Sequence, residues 1–179
     1  MNASCRSSDS TLLIIDPQLR LMPALDGAEE LIRRCTQLAT AARELKLPVI
    51  GTEQNPAGLG PNVPGLKALC DITFSKFHFS AAAEPGFLAL LPADRKTLVV
   101  AGCEAHVCVL QSVMGFIEAG YHVKLVTDAI GSRHAHNRDA AITRAGSLGA
   151  DLVTTEMVLF EWLHTSQHPS FRAVSKLIR

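Results

Sequence analysis

The sequence lacks a charge surplus. Its 179 residues carry 17 Lys and Arg against 17 Asp and Glu, so the formal net charge is zero. A nucleic-acid binder normally carries a basic excess, so no such partner is expected. Aromatic residues are scarce as well, with seven Phe, one Tyr and one Trp. That leaves little material for base-stacking platforms. Long hydrophobic runs are missing too. Runs such as 12–15 and 98–101 fall far below the roughly 20 residues that cross a bilayer, so no membrane span is expected. Residues 1–10 hold no apolar stretch followed by a small-residue cleavage pattern, so no secretory signal is expected either. Five Cys, an odd number without secretory context, do not suggest a disulfide framework. A reducing, cytoplasmic location is the expectation.

What is there is apolar. Hydrophobic residues make up 47% and charged ones 19%, which excludes an intrinsically disordered chain. The length fits one domain with a sizeable core. A flexible tail is expected over 1–9 and a single domain over 10–179. The continuous apolar run over 11–16, closed by a carboxylate, reads as a strand, and so do segments 48–53, 72–76, 97–102, 122–126 and 151–155. Helical spacing appears over 27–45, 84–91, 105–119, 137–148, 156–164 and 171–178. Segment 54–70, with three Pro and three Gly, reads as a long loop. Alternating strands and helices predict βαβ units in a three-layer α/β/α fold, with a six-stranded, mainly parallel, Rossmann-like sheet. Phe160, Trp162 and Leu163 would surround one late helix with apolar surface, which suggests packing against another subunit.

In such sheets ligands bind at the carboxyl ends of the strands. Asp16 closes the first strand, Glu53 the second and Lys76 the third, while Asp128 lies near the end of the fifth. Cys108 follows the fourth strand, in what should be the first turn of a helix. A helix start and a nearby cation would both lower a thiol pKa. The three groups Asp16, Lys76 and Cys108 then suit acyl transfer through a thioester, with Asp16 moving the proton and backbone N–H groups near Cys108 holding the oxyanion. Each residue also has an ordinary reading. Cys108 would be a buried core thiol, Asp16 a turn cap and Lys76 a solvated loop residue. A binding or scaffold protein, and a redox-responsive thiol protein with Cys103 as partner, are the alternatives.

The segments Leu12-Leu13-Ile14-Ile15-Asp16-Pro17-Gln18, Phe74-Ser75-Lys76 and Val99-Val100-Ala101-Gly102-Cys103-Glu104-Ala105-His106-Val107-Cys108-Val109 resemble the isochorismatase-like cysteine hydrolases. The segments Val126-Thr127-Asp128-Ala129 and Thr154-Thr155-Glu156 do so too, and the likeness runs over roughly residues 10–165. It is greatest for the subgroup of isochorismatase domain-containing proteins. The resemblance implies the α/β/α fold and an Asp16–Lys76–Cys108 triad. It also implies a cis peptide at Cys103–Glu104, oxyanion donors at the N–H groups of Glu104 and Cys108, and homodimers or larger homo-oligomers.

Departures narrow the chemistry. Nicotinamidases of this superfamily carry a metal-binding His after the second strand, and Thr52-Glu53-Gln54-Asn55 has none. True isochorismatases typically lack the nucleophilic Cys, which is kept here. No metal and no cofactor are expected, His134-Ala135-His136 offering two imidazoles without an evident third ligand. A small-molecule substrate, an amide or a related C–N compound, is the expected ligand. Its pocket would be walled by Gln18, Leu21, Met22, Gln54, Phe77 and Phe79.

Overall fold

A computed structural model describes residues 4–178. Residues 1–3 of the expected tail, and Arg179, lie outside the described residues. Six strands form one parallel sheet: β1 (Ser10–Ile15), β2 (Val49–Gln54), β3 (Ile72–Lys76), β4 (Thr97–Cys103), β5 (His122–Gly131) and β6 (Asp151–Val153). Their spatial order is β3-β2-β1-β4-β5-β6. The direction of winding reverses between β1 and β4, and this crevice is where an open α/β sheet receives a ligand.

The continuous apolar runs are explained by burial on both faces. Along β1, Leu12 and Ile14 pack on one side with Leu31, Cys35 and Leu38 of α1 (Ala28–Glu44) and Val158, Leu159 and Trp162 of α6 (Thr155–Leu163). Leu13 and Ile15 pack on the other side with Leu110, Val113 and Phe116 of α4 (Leu110–Glu118) and Ala141 and Ala145 of α5 (Ala135–Ser147). Period-two alternation thus builds two cores from one strand. The expected three layers are present.

Some local expectations are corrected. The long loop after β2 contains two short helices, α2 (Pro56–Leu59) and α3 (Pro64–Lys67), each opened by a proline. The helix expected at 84–91 is replaced by single 3₁₀ turns at Ala81–Ala83 and Leu88–Leu90. The last helix stops early as α7 (Phe171–Ser175) and ends in a 3₁₀ turn. β5 runs on to Gly131, past the polar pair Thr127-Asp128 that looked like its end. Asp128 there accepts Thr155 N–H and Oγ1–H at the start of α6, so it caps a helix rather than facing the ligand crevice.

Residues 4–9 pack on the domain rather than trailing from it. Cys5 is fully buried, Arg95 Nη1 donates to the carbonyls of Ser7 and Ser10, and Asp9 accepts Lys96 N–H and Thr97 Oγ1–H. On α6, Trp162 and Leu163 belong to the chain's own core, leaving Met157 and Phe160 as its exposed apolar residues. No helix among the described residues is long and apolar enough to cross a membrane.

Candidate active site

The site grows from the switch point. β1 and β4 run in register, with Ile15 paired to Gly102. Gly102 has φ +119°, and a Cβ there would lie 2.1 Å from the Ile15 carbonyl oxygen. Only glycine lets the two strands approach so closely. Asp16 follows β1 with φ +48°, a left-handed position that Asp tolerates better than most residues. Beyond Gly102, the Cys103–Glu104 peptide is cis. The Cys103 thiol donates to the Asp16 carbonyl at 3.1 Å, which ties the two strand ends together.

Asp16 is 1% exposed. Its Oδ1 accepts the Thr52 hydroxyl at 2.6 Å, and its Oδ2 lies 2.8 Å from Lys76 Nζ. Lys76 is wholly buried, and a buried ammonium is tolerated only when paired and hydrogen-bonded. Its three protons find Gln54 Oε1 at 2.7 Å, the Phe79 carbonyl at 3.2 Å and the His78 carbonyl at 3.3 Å. Asp16 Oδ2 is a fourth oxygen around these three protons, nearer than either carbonyl. The Cys108 thiol is a further side-chain hydrogen-bond partner of Asp16.

Cys108 sits in a π-helical turn, Ala105–Val109, that precedes α4. Its thiol is 7% exposed and its Sγ lies 4.0 Å from Gln54 Oε1. The widened turn matters for the backbone. The Glu104 carbonyl accepts Val107 N–H and Val109 N–H, both at 3.1 Å, and skips Cys108 N–H. Such turns recur at functional sites because they break the regular ladder.

The expected low thiol pKa is reversed. Burial pushes the Cys108 thiol up to about 12, the Asp16 carboxylate adds to the rise, and Lys76 opposes it. The helix start is outweighed because the sulfur is out of water and beside an anion. In the resting site Cys108 is a thiol.

Asp16, Gln54, Glu104 and Cys108 share the wall of a cavity of about 360 Å³, together with Leu21, Ala24, Leu59, Phe79, Val107 and Arg133. Three of the residues expected in the wall stand elsewhere. Gln18 is buried beneath it, where Nε2 donates to the carbonyls of Gln54 and Gly60 and Oε1 accepts Gln54 N–H. It braces the end of β2. Met22 packs in the core under α1. Phe77 is 72% exposed, and only its carbonyl turns inward, to Gln54 Nε2 at 2.8 Å.

Sequence reasoning passed over Thr52 and Arg133. A polar residue inside the buried run of β2 was the available signal for Thr52. Arg133 had none, because it reaches the site only when β5 continues to Gly131. Its Nε lies 2.9 Å from Glu104 Oε1. His106 turns away from the cavity and meets the Ser132 hydroxyl at 3.0 Å. The rings of His134 and His136 stack on each other. No group of three metal-ligating side chains occurs among the described residues.

Fold and site define a class: a three-layer α/β protein with a thiol-centred cavity at the switch point of its sheet. The isochorismatase domain model matches residues 10–157. Isochorismatase domain-containing protein 2 of Xenopus laevis is 34% identical over 94% of this chain and 83% of its own. A Caenorhabditis elegans protein, solved as MAR1 ribonuclease, superposes with a TM-score of 0.91 at 35% identity, over 97% of this chain and 91% of that one. The Escherichia coli YcaC protein, an octameric hydrolase of unknown specificity, superposes with a TM-score of 0.90 at 26% identity, over 98% and 89%. The chain belongs to the isochorismatase family.

Proposed function

We propose that the protein is a metal-independent cysteine hydrolase of a small amide or related C–N substrate. One observation carries the reading. A buried thiol shares a cavity with the Asp16 carboxylate that Lys76 pairs, in a turn whose Glu104 carbonyl passes over the Cys108 N–H. A substrate carbonyl oxygen on the N–H groups of Glu104 and Cys108 would place its carbon beside Sγ. As Sγ attacks, the S–H proton passes to Asp16 Oδ2 and the C–S bond forms. The oxyanion collapses, the C–N bond breaks, and Asp16 returns that proton to the leaving amine. Water then attacks the thioester and gives its proton to Asp16. The C–S bond breaks, the acid leaves, and Asp16 reprotonates the thiolate. Lys76 faces Asp16 across 2.8 Å and stays in place throughout.

The nuclease activity named for the C. elegans protein fits this cavity poorly. Its walls are mainly apolar or acidic, and Arg133 at the mouth is already paired with Glu104. The octameric YcaC and the exposed Met157 and Phe160 support a homo-oligomer. Five free cysteines are in keeping with the reducing cytoplasm. The test is ammonia release from a panel of primary amides, with intact-mass detection of the acyl-enzyme. Wild type should show both and Cys108→Ala neither. Equal rates from the two would sink the reading.

A further inference from the structure

Every charge that reaches the cavity is already matched. Asp16 faces Lys76 at 2.8 Å. Glu104 Oε1 takes Arg133 Nε at 2.9 Å and Arg133 N–H at 3.3 Å. The Gln54 amide oxygen accepts from Lys76 and its nitrogen donates to the Phe77 carbonyl. What remains to meet a substrate is the Cys108 thiol and an apolar wall of Leu21, Leu59, Phe79 and Val107. The Glu104 side chain is 11% exposed and Arg133 is 54% exposed, so the anion lies inside and the cation outside.

We propose that the Glu104–Arg133 pair is a charge filter that restricts the cavity to small uncharged primary amides with an apolar tail. The proposal rests on the amide-hydrolase reading and narrows it. A tail ending in a carboxylate meets the inner Glu104. A tail ending in an ammonium must pass the outer Arg133 before it can reach Glu104. Either can be accommodated only by opening the pair, which leaves one partly buried charge unmatched. A neutral tail leaves the pair closed and covers the apolar wall. Rejection of charged tails comes from the repulsive half of the pair.

Binding separates this from catalysis. The probes are hexanamide, its ω-amino derivative and its ω-carboxyl derivative, titrated calorimetrically into Cys108→Ala in the otherwise native chain. Hexanamide should bind at least about tenfold more tightly than either charged analogue. Adding Arg133→Ala exposes Glu104 without its partner. Affinity for the ω-amino compound should then rise about tenfold relative to hexanamide, while the ω-carboxyl compound stays excluded. The filter is overturned if a charged analogue matches hexanamide, if hexanamide does not bind, or if Arg133→Ala shifts all three alike. Ammonia release by wild type reads the parent proposal. The expected binding order with no release from any amide sinks amide hydrolysis and leaves the filter standing. Release from a charged amide as fast as from hexanamide sinks the filter and leaves the hydrolase standing.

Discussion

Asp16→Asn keeps the shape of a side chain while removing its charge and its basicity, and the two losses should act in opposite directions on Cys108. With its pKa at about 12, the wild-type thiol is ionised to about one part in ten thousand at pH 8. The Asp16 carboxylate raises that value and Lys76 lowers it. After the substitution the ammonium acts unopposed, still held by Gln54 and the carbonyls of His78 and Phe79. A neighbouring charge at this range shifts a pKa by about one to three units. Each unit lost gives about ten times more thiolate, but the weaker base is about threefold less nucleophilic. The net gain is about threefold per unit, so a fall of about two units speeds alkylation about tenfold. Amide turnover needs the proton shuttle as well and should drop by about a thousandfold. The assay is iodoacetamide alkylation at pH 8, followed by intact mass and assigned to Cys108 by peptide mapping, beside ammonia release. Lys76→Met should slow both reactions, since it removes the charge that favours the thiolate. Slower alkylation in Asp16→Asn than in wild type would refute the idea that the carboxylate holds the thiol protonated.

Other substitutions probe the frame around that site. Gly102→Ala places a Cβ 2.1 Å from the Ile15 carbonyl oxygen at positive φ, so it should cost at least about 3 kcal/mol. That is a fall in Tm of about 6–12 °C for a domain of this size, and an unchanged Tm would show that β1 and β4 can part freely. Thr52→Val removes the 2.6 Å hydrogen bond to Asp16 Oδ1, which should cost about 1–3 kcal/mol and lower kcat more than it raises KM, as read from denaturant unfolding and steady-state kinetics. Alkaline stability follows from the buried thiols. Burial pushes Cys35 up from 9.0 to about 12, so between those values the unfolded chain has lost a proton that the folded chain keeps. The contribution is intact below about pH 9 and declines by about 1.4 kcal/mol per pH unit above it, until the folded thiol ionises. Cys35→Ala should therefore flatten the fall of Tm above pH 9, and identical slopes would contradict the assignment.

Much of this was legible because the relevant signals are local. A run such as Leu12-Leu13-Ile14-Ile15 has no polar face, so it must be a strand covered on both sides. Asp16, Lys76 and Cys108 were found because each closes or follows such a run, and a parallel sheet gathers those ends on one edge. The misreadings have a common cause as well. Trp162 looked like surface because a four-residue window cannot show that α6 lies over α1. Met22 and Gln18 looked like pocket wall because a loop gives no period from which to read direction. Arg133 was invisible because Thr127-Asp128 broke the apolar pattern of β5. Their polar atoms are satisfied sideways, by the Val153 carbonyl and by the start of α6, so the strand continues through them.

The corrected thiol pKa also bears on the choice between hydrolase and redox sensor. A sensor needs standing thiolate and access to oxidant. Cys108 is 7% exposed, and burial pushes its thiol toward the protonated form, so it lacks the first of these. Its nearest candidate partner in sequence, Cys103, is fully buried, is pushed further toward the thiol form by burial and donates to the Asp16 carbonyl. A hydrolase meets the opposite requirement. Its nucleophile need only lose a proton when a carbonyl arrives, and a carboxylate with a free lone pair is enough to take it. A protonated resting thiol beside the Asp16 carboxyl group is thus poorly suited to sensing and better suited to the proposed acyl transfer. In the proposed reaction Lys76 would balance Asp16 before attack and the thiolate during it. Its three fixed acceptors keep it from following either charge.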